Sequence, residues 1–207
     1  MLDYEQKLFD QGYKLIVGTD EAGRGPLCGP VVCAACILPP NYRNEMIDDS
    51  KKLTEKKREV LFEEIKKVAL YYKVVAISPE EIDKINIYEA SRKGMTVAIQ
   101  ECGVTPDYIL TDCMPLFGFE GIPQENLVKG DAKAMCIAAA SILAKVTRDH
   151  IMEDIDKEHP EYMIKKHKGY PTKLHLELLK KYGPIKGLYR YSYRPVREAD
   201  EEQFKLF

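Results

Sequence analysis

Apolar and polar positions fall in short blocks along this chain. The first apolar run, Leu15-Ile16-Val17, leads through Gly18-Thr19 to two adjacent acids, Asp20-Glu21. A glycine-rich turn follows at once, Ala22-Gly23-Arg24-Gly25-Pro26, and a second apolar run spans Val31 to Ile37. Runs rich in β-branched residues that close on Gly and Pro predict strands. The short turn between these two predicts neighbours paired antiparallel, and Pro39-Pro40-Asn41 stops the second. Residues 3–11 predict a short amphipathic helix ended by Gly12. A helix over 55–68 follows from Thr54 as cap, Glu55 in the first turn and one apolar side of Val60, Leu61, Ile65 and Val68.

Residues 70–78 predict another strand. Ser78-Pro79-Glu80-Glu81 opens a helical region that runs with interruptions to about Glu101, since Pro suits the first helical position. Asp107 to Asp112 is a short strand ending in an acid, and Glu125 to Lys129 is a last short strand. Gly130-Asp131 introduces a long helix from about 132 to 157, whose Ala138-Ala139-Ala140-Ser141 run permits close packing on a sheet. Thr172 to Tyr182 is a helix closed by Gly183-Pro184. Strands interleaved with helices in this order predict an α/β fold, a mixed sheet flanked by helices with a helical C-terminal lobe.

At 207 residues the chain reads as one domain. Residues 1–160 form its core, 161–197 a basic C-terminal lobe and 198–207 an acidic tail. Hydrophobic residues make up 45%, enough for a substantial core, with no apolar run of transmembrane length and no basic-then-apolar leader. A cytoplasmic protein without membrane contact is expected. Cys33 and Cys36 form a CxxC inside a strand, where positions three apart face opposite sides, so zinc and redox use are not expected. The remaining cysteines read as small buried hydrophobes. No nucleophilic triad, Walker loop or dinucleotide fingerprint appears, and His167 reads as surface. The formal net charge is −2, but between Lys165 and Arg197 ten Lys and Arg stand against one acid, Glu177. That distribution fits either a phosphate-binding lobe beside an acidic site or a solvated basic face.

Candidate chemistry rests on acids at element ends. Asp20, Glu21 and Asp112 sit where strands leave the core, and Asp131 sits at a helix start. An unpaired carboxylate is costly to bury, so such positions suggest a cation. Oxygen-only donors select hard ions such as Mg²⁺ or Mn²⁺. Each acid also has an ordinary reading: Asp20 and Glu21 as solvated turn residues, Asp112 as a turn cap, Asp131 as a helix cap. Gly23 and Gly25 let a ligand approach the backbone closely, and Arg24 between them suits phosphate.

Gly18-Thr19-Asp20-Glu21-Ala22-Gly23-Arg24-Gly25-Pro26 resembles the N-terminal motif of the ribonuclease HII family. Asp49-Ser50-Lys51-Lys52-Leu53, Lys129-Gly130-Asp131-Ala132-Lys133, the segment Ala139 to Asp149, and Gly169-Tyr170-Pro171-Thr172 extend the resemblance in family order. The resemblance implies a ribonuclease H-like sheet. It also implies two-metal hydrolysis of the RNA strand of RNA–DNA hybrids, and incision 5′ of single ribonucleotides embedded in duplex DNA. It assigns Asp20, Glu21, Asp112 and Asp131 to the metals, in preference to their ordinary readings. It further assigns Gly23, Arg24 and Gly25 to the ribose 2′-hydroxyl and Tyr170 to the deoxyribose beyond it. Lys51, Lys145, Lys165, Lys166 and Lys168 are candidate phosphate contacts. Asp149, in the same motif, reads as a helix ion-pair partner. A two-metal DNA nuclease of related fold and an inactive nucleic-acid-binding module are the alternatives. The Gly-Arg-Gly turn with Tyr170 argues against the first. Four retained acids argue against the second.

Gln203-Phe204-Lys205-Leu206-Phe207 resembles the bacterial sliding-clamp pattern Gln-Leu-x-Leu-Phe, departing from it at Phe204. A short peptide with apolar anchors suits groove docking, and a tether raises effective concentration at DNA. The same side chains could instead fold back onto the protein. Truncation to 1–202 is expected to abolish binding to the clamp of the same organism in a pull-down or titration. Equal binding by both forms, or by neither, rejects the tether, and a fall of several degrees in Tm on truncation favours the fold-back.

Overall fold

The computed structural model describes residues 2–40, 42–47 and 53–204; Lys51 and residues 205–207 lie outside the described residues. In chain order the elements are α1 (Leu2–Asp10), β1 (Ile16–Ala22), β2 (Val31–Ile37), α2 (Glu55–Val68), β3 (Tyr71–Ile77), α3 (Pro79–Gln100), β4 (Tyr108–Asp112) and β5 (Gln124–Leu127). After a 3₁₀ turn at Gly130–Ala132 come α4 (Met135–Glu158), a 3₁₀ turn at Pro160–Tyr162, α5 (Ile164–His167), α6 (Lys173–Tyr182) and α7 (Arg194–Phe204). The five strands form one sheet in the order β3-β2-β1-β4-β5. The β1–β2 and β2–β3 pairs are antiparallel, while β1–β4 and β4–β5 are parallel. A mixed sheet with helices and a helical C-terminal region is thus the observed architecture, as expected.

Local chemistry accounts for most boundaries. The Thr54 hydroxyl caps α2 by accepting from Lys57 N, Ser78 caps α3 and Thr172 caps α6. The expected interruption in α3 is a single residue, Asn86, at φ 67°. Its Oδ1 accepts from the backbone N–H of Tyr88 and Glu89, so Asn86 ends one helical segment and caps the next.

Alternation along the central strands divides the core. Val31, Cys33, Ala35 and Ile37 face α3 and pack with Met95, Ala98 and Ile99. Val32, Ala34 and Cys36 face the other way, onto α2 and α4, with Leu61, Ile65 and Ala138 to Ala140. The CxxC is therefore split across the sheet, and all six cysteines are free. Cys113 departs from the expected burial: it follows β4 at φ 57° and is exposed.

Helix α4 crosses β1 at backbone contact. A Cβ on Gly18 would lie 2.2 Å from the carbonyl carbon of Cys136 and 2.4 Å from the nitrogen of Ile137. The alanines of α4 bury without residue, so the expected close packing is observed. This approach sets α4 over the strand that carries Asp20.

Two readings of the C-terminal region change. The acidic stretch after 197 is not a separate tail here, because α7 runs through that boundary. Val196 and Ala199 are buried against Leu27, Tyr162, Leu179 and Tyr189, an apolar pair hidden among charges. His167 is buried rather than at the surface. It stacks on His175 with centroids 4.0 Å apart and 14° between planes.

Gly18→Ala is expected to destabilise the protein in urea unfolding. The cost should reach the upper end of the roughly 1–3 kcal/mol seen for overpacked cores, because the obstacle is helix backbone and cannot rotate aside.

Candidate active site

The parallel pairing of β1 with β4 brings the acids together. Thr19 pairs with Thr111, so Asp20 lies level with Asp112, the last residue of β4, while β1 itself runs on beside β2 to Ala22. Asp20 and Glu21 are thus within the strand and not at its end. Asp20 is buried. Its Oδ1 accepts from the backbone N–H of Glu21 at 2.7 Å, and the Ser141 hydroxyl of α4 bonds to the same carboxylate. Asp112 Oδ1 accepts from Gly130 N at 2.8 Å, which ties the end of β4 to the 3₁₀ turn holding buried Asp131. Burial, then the charges of Glu21 and Asp112, push the Asp20 pKa well above the usual carboxylate range.

A cleft of about 240 Å³ opens beside these acids. Asp20 and Glu21 form one wall, Gly23, Arg24 and Gly25 another, and Ser141, Lys145 and Tyr170 complete it. Asp112 and Asp131 do not line the cleft. Among the described residues, no three His, Cys, Asp or Glu side chains are arranged to hold a metal ion. The reason is visible for three of the acids. Asp20 and Asp112 are turned to backbone N–H groups, and Glu21 Oε1 lies 3.5 Å from Arg24 Nη1. The donor chemistry nevertheless fits a hard divalent cation. All four groups are carboxylates, and Asp20 is buried beside two others, an excess of negative charge that a cation would offset.

The turn and Tyr170 meet directly. A Cβ on Gly25 would lie 3.4 Å from Tyr170 Cε1, so the exposed ring rests against glycine backbone. The stacked histidines hold the Tyr170 segment. His167 Nε2 lies 2.9 Å from the Tyr162 carbonyl and therefore carries the proton, while Nδ1 accepts from Gly169 N. His175 Nδ1 donates to the Tyr170 carbonyl and Nε2 accepts from the Tyr189 hydroxyl. Burial pushes both imidazoles below their usual pKa, His175 to about 4, so both rings stay neutral at neutral pH.

The lysines part company. Lys145 lines the cleft with Nζ 2.6 Å from Asp149, the helix ion pair expected of that acid, which also faces Arg58 at 3.8 Å. Lys168 is not on the cleft wall and pairs with Glu153 at 2.8 Å. Lys165 and Lys166 are exposed on α5, and Lys51 is outside the described residues.

Sequence reasoning missed two arginines. Arg148 is buried and donates to the carbonyls of Pro30, Lys168 and Cys28. Burial, reinforced by the charge of Arg190, lowers its pKa to about 10. Arg190, counted above among the basic residues of the lobe, is also buried and donates to Gly23, Arg24 and Gly29 carbonyls. The available signal was the turn itself: an irregular loop rich in Gly and Pro needs donors for its carbonyls.

Residues 17–196 match the ribonuclease HII family. The chain belongs to that family. It is 47% identical over 201 residues to ribonuclease HII of Geobacillus sp. strain WCH70, covering 97% of this chain and 72% of the relative. It is 50% identical over 195 residues to that of Acholeplasma laidlawii, covering 94% and 95%. Among solved structures, the ribonuclease H2 of Pyrococcus horikoshii OT3 superposes with a TM-score of 0.76 at 28% identity, covering 92% of this chain and 98% of that one. The ribonuclease HII in a complex with PCNA from Archaeoglobus fulgidus gives 0.73 at 27%, covering 87% and 95%. As a ribonuclease HII family member, the protein is a divalent-metal-dependent endoribonuclease acting on RNA–DNA hybrids.

Asp20→Asn is expected to raise Tm at pH 7 in EDTA. A carboxyl whose folded pKa exceeds its unfolded value weakens the fold when ionised. The gain should therefore shrink as pH falls through the raised pKa and vanish below about 3.8, the unfolded value. Added divalent metal should stabilise the wild type more than the variant; scanning calorimetry reads both effects.

Proposed function

We propose that Asp20, Glu21, Asp112 and Asp131 hold two divalent ions, Mg²⁺ or Mn²⁺, in a site that hydrolyses the RNA strand of hybrids and cuts 5′ of single ribonucleotides in duplex DNA. The products are a 3′-hydroxyl and a 5′-phosphate. The observation that carries this reading is the single cleft in which the paired acids of β1 face both the Gly23-Arg24-Gly25 turn and Tyr170. Ions held by these four carboxylates would supply activation of water and charge stabilisation for phosphodiester displacement.

The chain's own groups supply position and selectivity. Strands β1 and β4 and the Gly130 contact hold the carboxylates on rigid backbone, where phosphoryl chemistry gains most from placement. The glycine turn lets the sugar approach without side chains between, and the 2′-hydroxyl is the group that separates RNA from DNA there. Tyr170, resting on Gly25, meets the next sugar. Lys145 at the cleft wall contacts phosphate, and Lys51 and Lys168 supply further phosphate contacts. A DNA nuclease of related fold would have no use for this turn and ring together, and an inactive binder would gain nothing from buried acids that repel phosphate.

No helix among the described residues is long and apolar enough to cross a membrane, and a cytoplasmic location completes the proposal. A second reading adds a sliding-clamp tether at Gln203 to Phe207. A structural neighbour held in a PCNA complex supports it.

Asp112→Asn is expected to lower cleavage of a duplex bearing one ribonucleotide by orders of magnitude at ordinary metal concentration, with the fold retained by circular dichroism. Tyr170→Ala should impair cleavage at a single ribonucleotide far more than binding to plain duplex. Near-normal turnover by the first variant removes Asp112 from the metal site. Equal losses on all duplexes by the second make Tyr170 a packing residue.

A further inference from the structure

Behind the Gly23-Arg24-Gly25 turn lies a guanidinium with no exposed surface. Arg190 sits between α6 and α7, and all five of its N–H groups have acceptors. Nη2 donates to the carbonyls of Gly23 at 2.7 Å and Gly29 at 2.9 Å. Nη1 donates to the Arg24 carbonyl at 3.0 Å and the Tyr193 hydroxyl at 3.1 Å, and Nε donates to Gly29 at 3.0 Å. The Tyr193 hydroxyl itself donates to the Arg24 carbonyl at 2.6 Å. A cation buried against carbonyls rather than a carboxylate is a costly choice. What it secures is the direction of two peptide planes.

The chain has no cis peptide bond. In a trans peptide the carbonyl and the following N–H point in opposite directions. Drawing the Gly23 and Arg24 carbonyls back onto Arg190 therefore turns the N–H groups of Arg24 and Gly25 away from it. Among the described residues neither N–H has a hydrogen-bond partner, and both residues line the cleft. The Gly23 and Arg24 carbonyls are consumed, so at these two peptides the turn presents N–H donors and not acceptors. It is built to receive an oxygen through its lone pairs.

We propose that Arg190, with Tyr193 as a second clamp, is a positioning residue that makes this turn a two-donor receptor for the ribose 2′-oxygen. The proposal rests on the substrate reading above and adds to it the group that sets the polarity of recognition. A deoxyribose offers no oxygen at that place, so the two donors would be left without a partner when DNA occupies the cleft. An arginine is required because only a planar fork reaches three carbonyls at once.

The test compares binding of two duplexes of one sequence, one all-DNA and one with a single ribonucleotide, in Ca²⁺ with no turnover. The affinity ratio between them is the readout, since a merely structural role would not change it. Arg190→Lys keeps the charge and loses the fork; Tyr193→Phe keeps the packed ring and loses one bond to Arg24. Tyr193→Phe is expected to reduce the ratio about three- to tenfold, and Arg190→Lys to bring it near one, with all-DNA affinity little changed. If Arg190→Lys does not fold, Tyr193→Phe decides alone. A reduced ratio in either variant supports the proposal. An unchanged ratio in every folded variant, or equal loss of affinity on both duplexes, overturns it. A wild-type ratio of one would overturn the substrate reading instead, and the proposal with it.

Discussion

Two buried guanidiniums hold the loop on which the site is built. Residues 23–30 carry no helix or strand, yet most of them are buried. A buried loop must find partners for every backbone polar group, or each unpaired one costs a few kcal/mol. Arg148 and Arg190 meet that demand between them, reaching the carbonyls of Gly23, Arg24, Cys28, Gly29 and Pro30. Backbone bonds complete the job: Leu27 N to Gly169 O, Gly29 N to Leu188 O and Arg190 N to Leu27 O. The same contacts bind the sheet to the C-terminal lobe, so substrate turn and lobe form one unit.

The acids impose the opposite condition. Asp20, Glu21 and Asp112 crowd together because β1 and β4 run parallel in a register that sets Asp20 level with the last residue of β4. Nothing in folding favours that arrangement, and Asp20 is held against its own charge. Stability lost at such a place is the common signature of a site kept for chemistry. The surrounding structure absorbs it through the tight α4–β1 contact at Gly18 and through Ser141, which reaches Asp20 from the same helix.

Tyr170 shows how a residue with little burial of its own is still positioned. Its ring is exposed, but its backbone is held by two neutral, stacked imidazoles: one accepts from Gly169 N–H, the other donates to the Tyr170 carbonyl, and their partners dictate both tautomers. Composition could not reveal this. A histidine in a basic stretch reads as surface, and only the packing of α5 against α6 puts His167 on His175.

The sequence by itself determined most of the elements, because caps, Gly/Pro stops and hydrophobic period act over a few residues. Thr54, Ser78 and Thr172 cap helices as their local chemistry dictates, and the alternation of Val31 to Ile37 divided Cys33 from Cys36 before any fold was known. The order of the motifs likewise carried the family. Helix α7 escaped notice because Val196 and Ala199 are two apolar positions among acids, and their value depends on Leu27 and Tyr162 from distant segments. Tertiary structure alone decided which charges meet. Lys145 came to the cleft while Lys168 went to Glu153, and Arg190 left the basic surface for the back of the glycine turn. A charge reads the same in sequence whether it faces water, a carboxylate or a carbonyl; only the fold places its partner beside it.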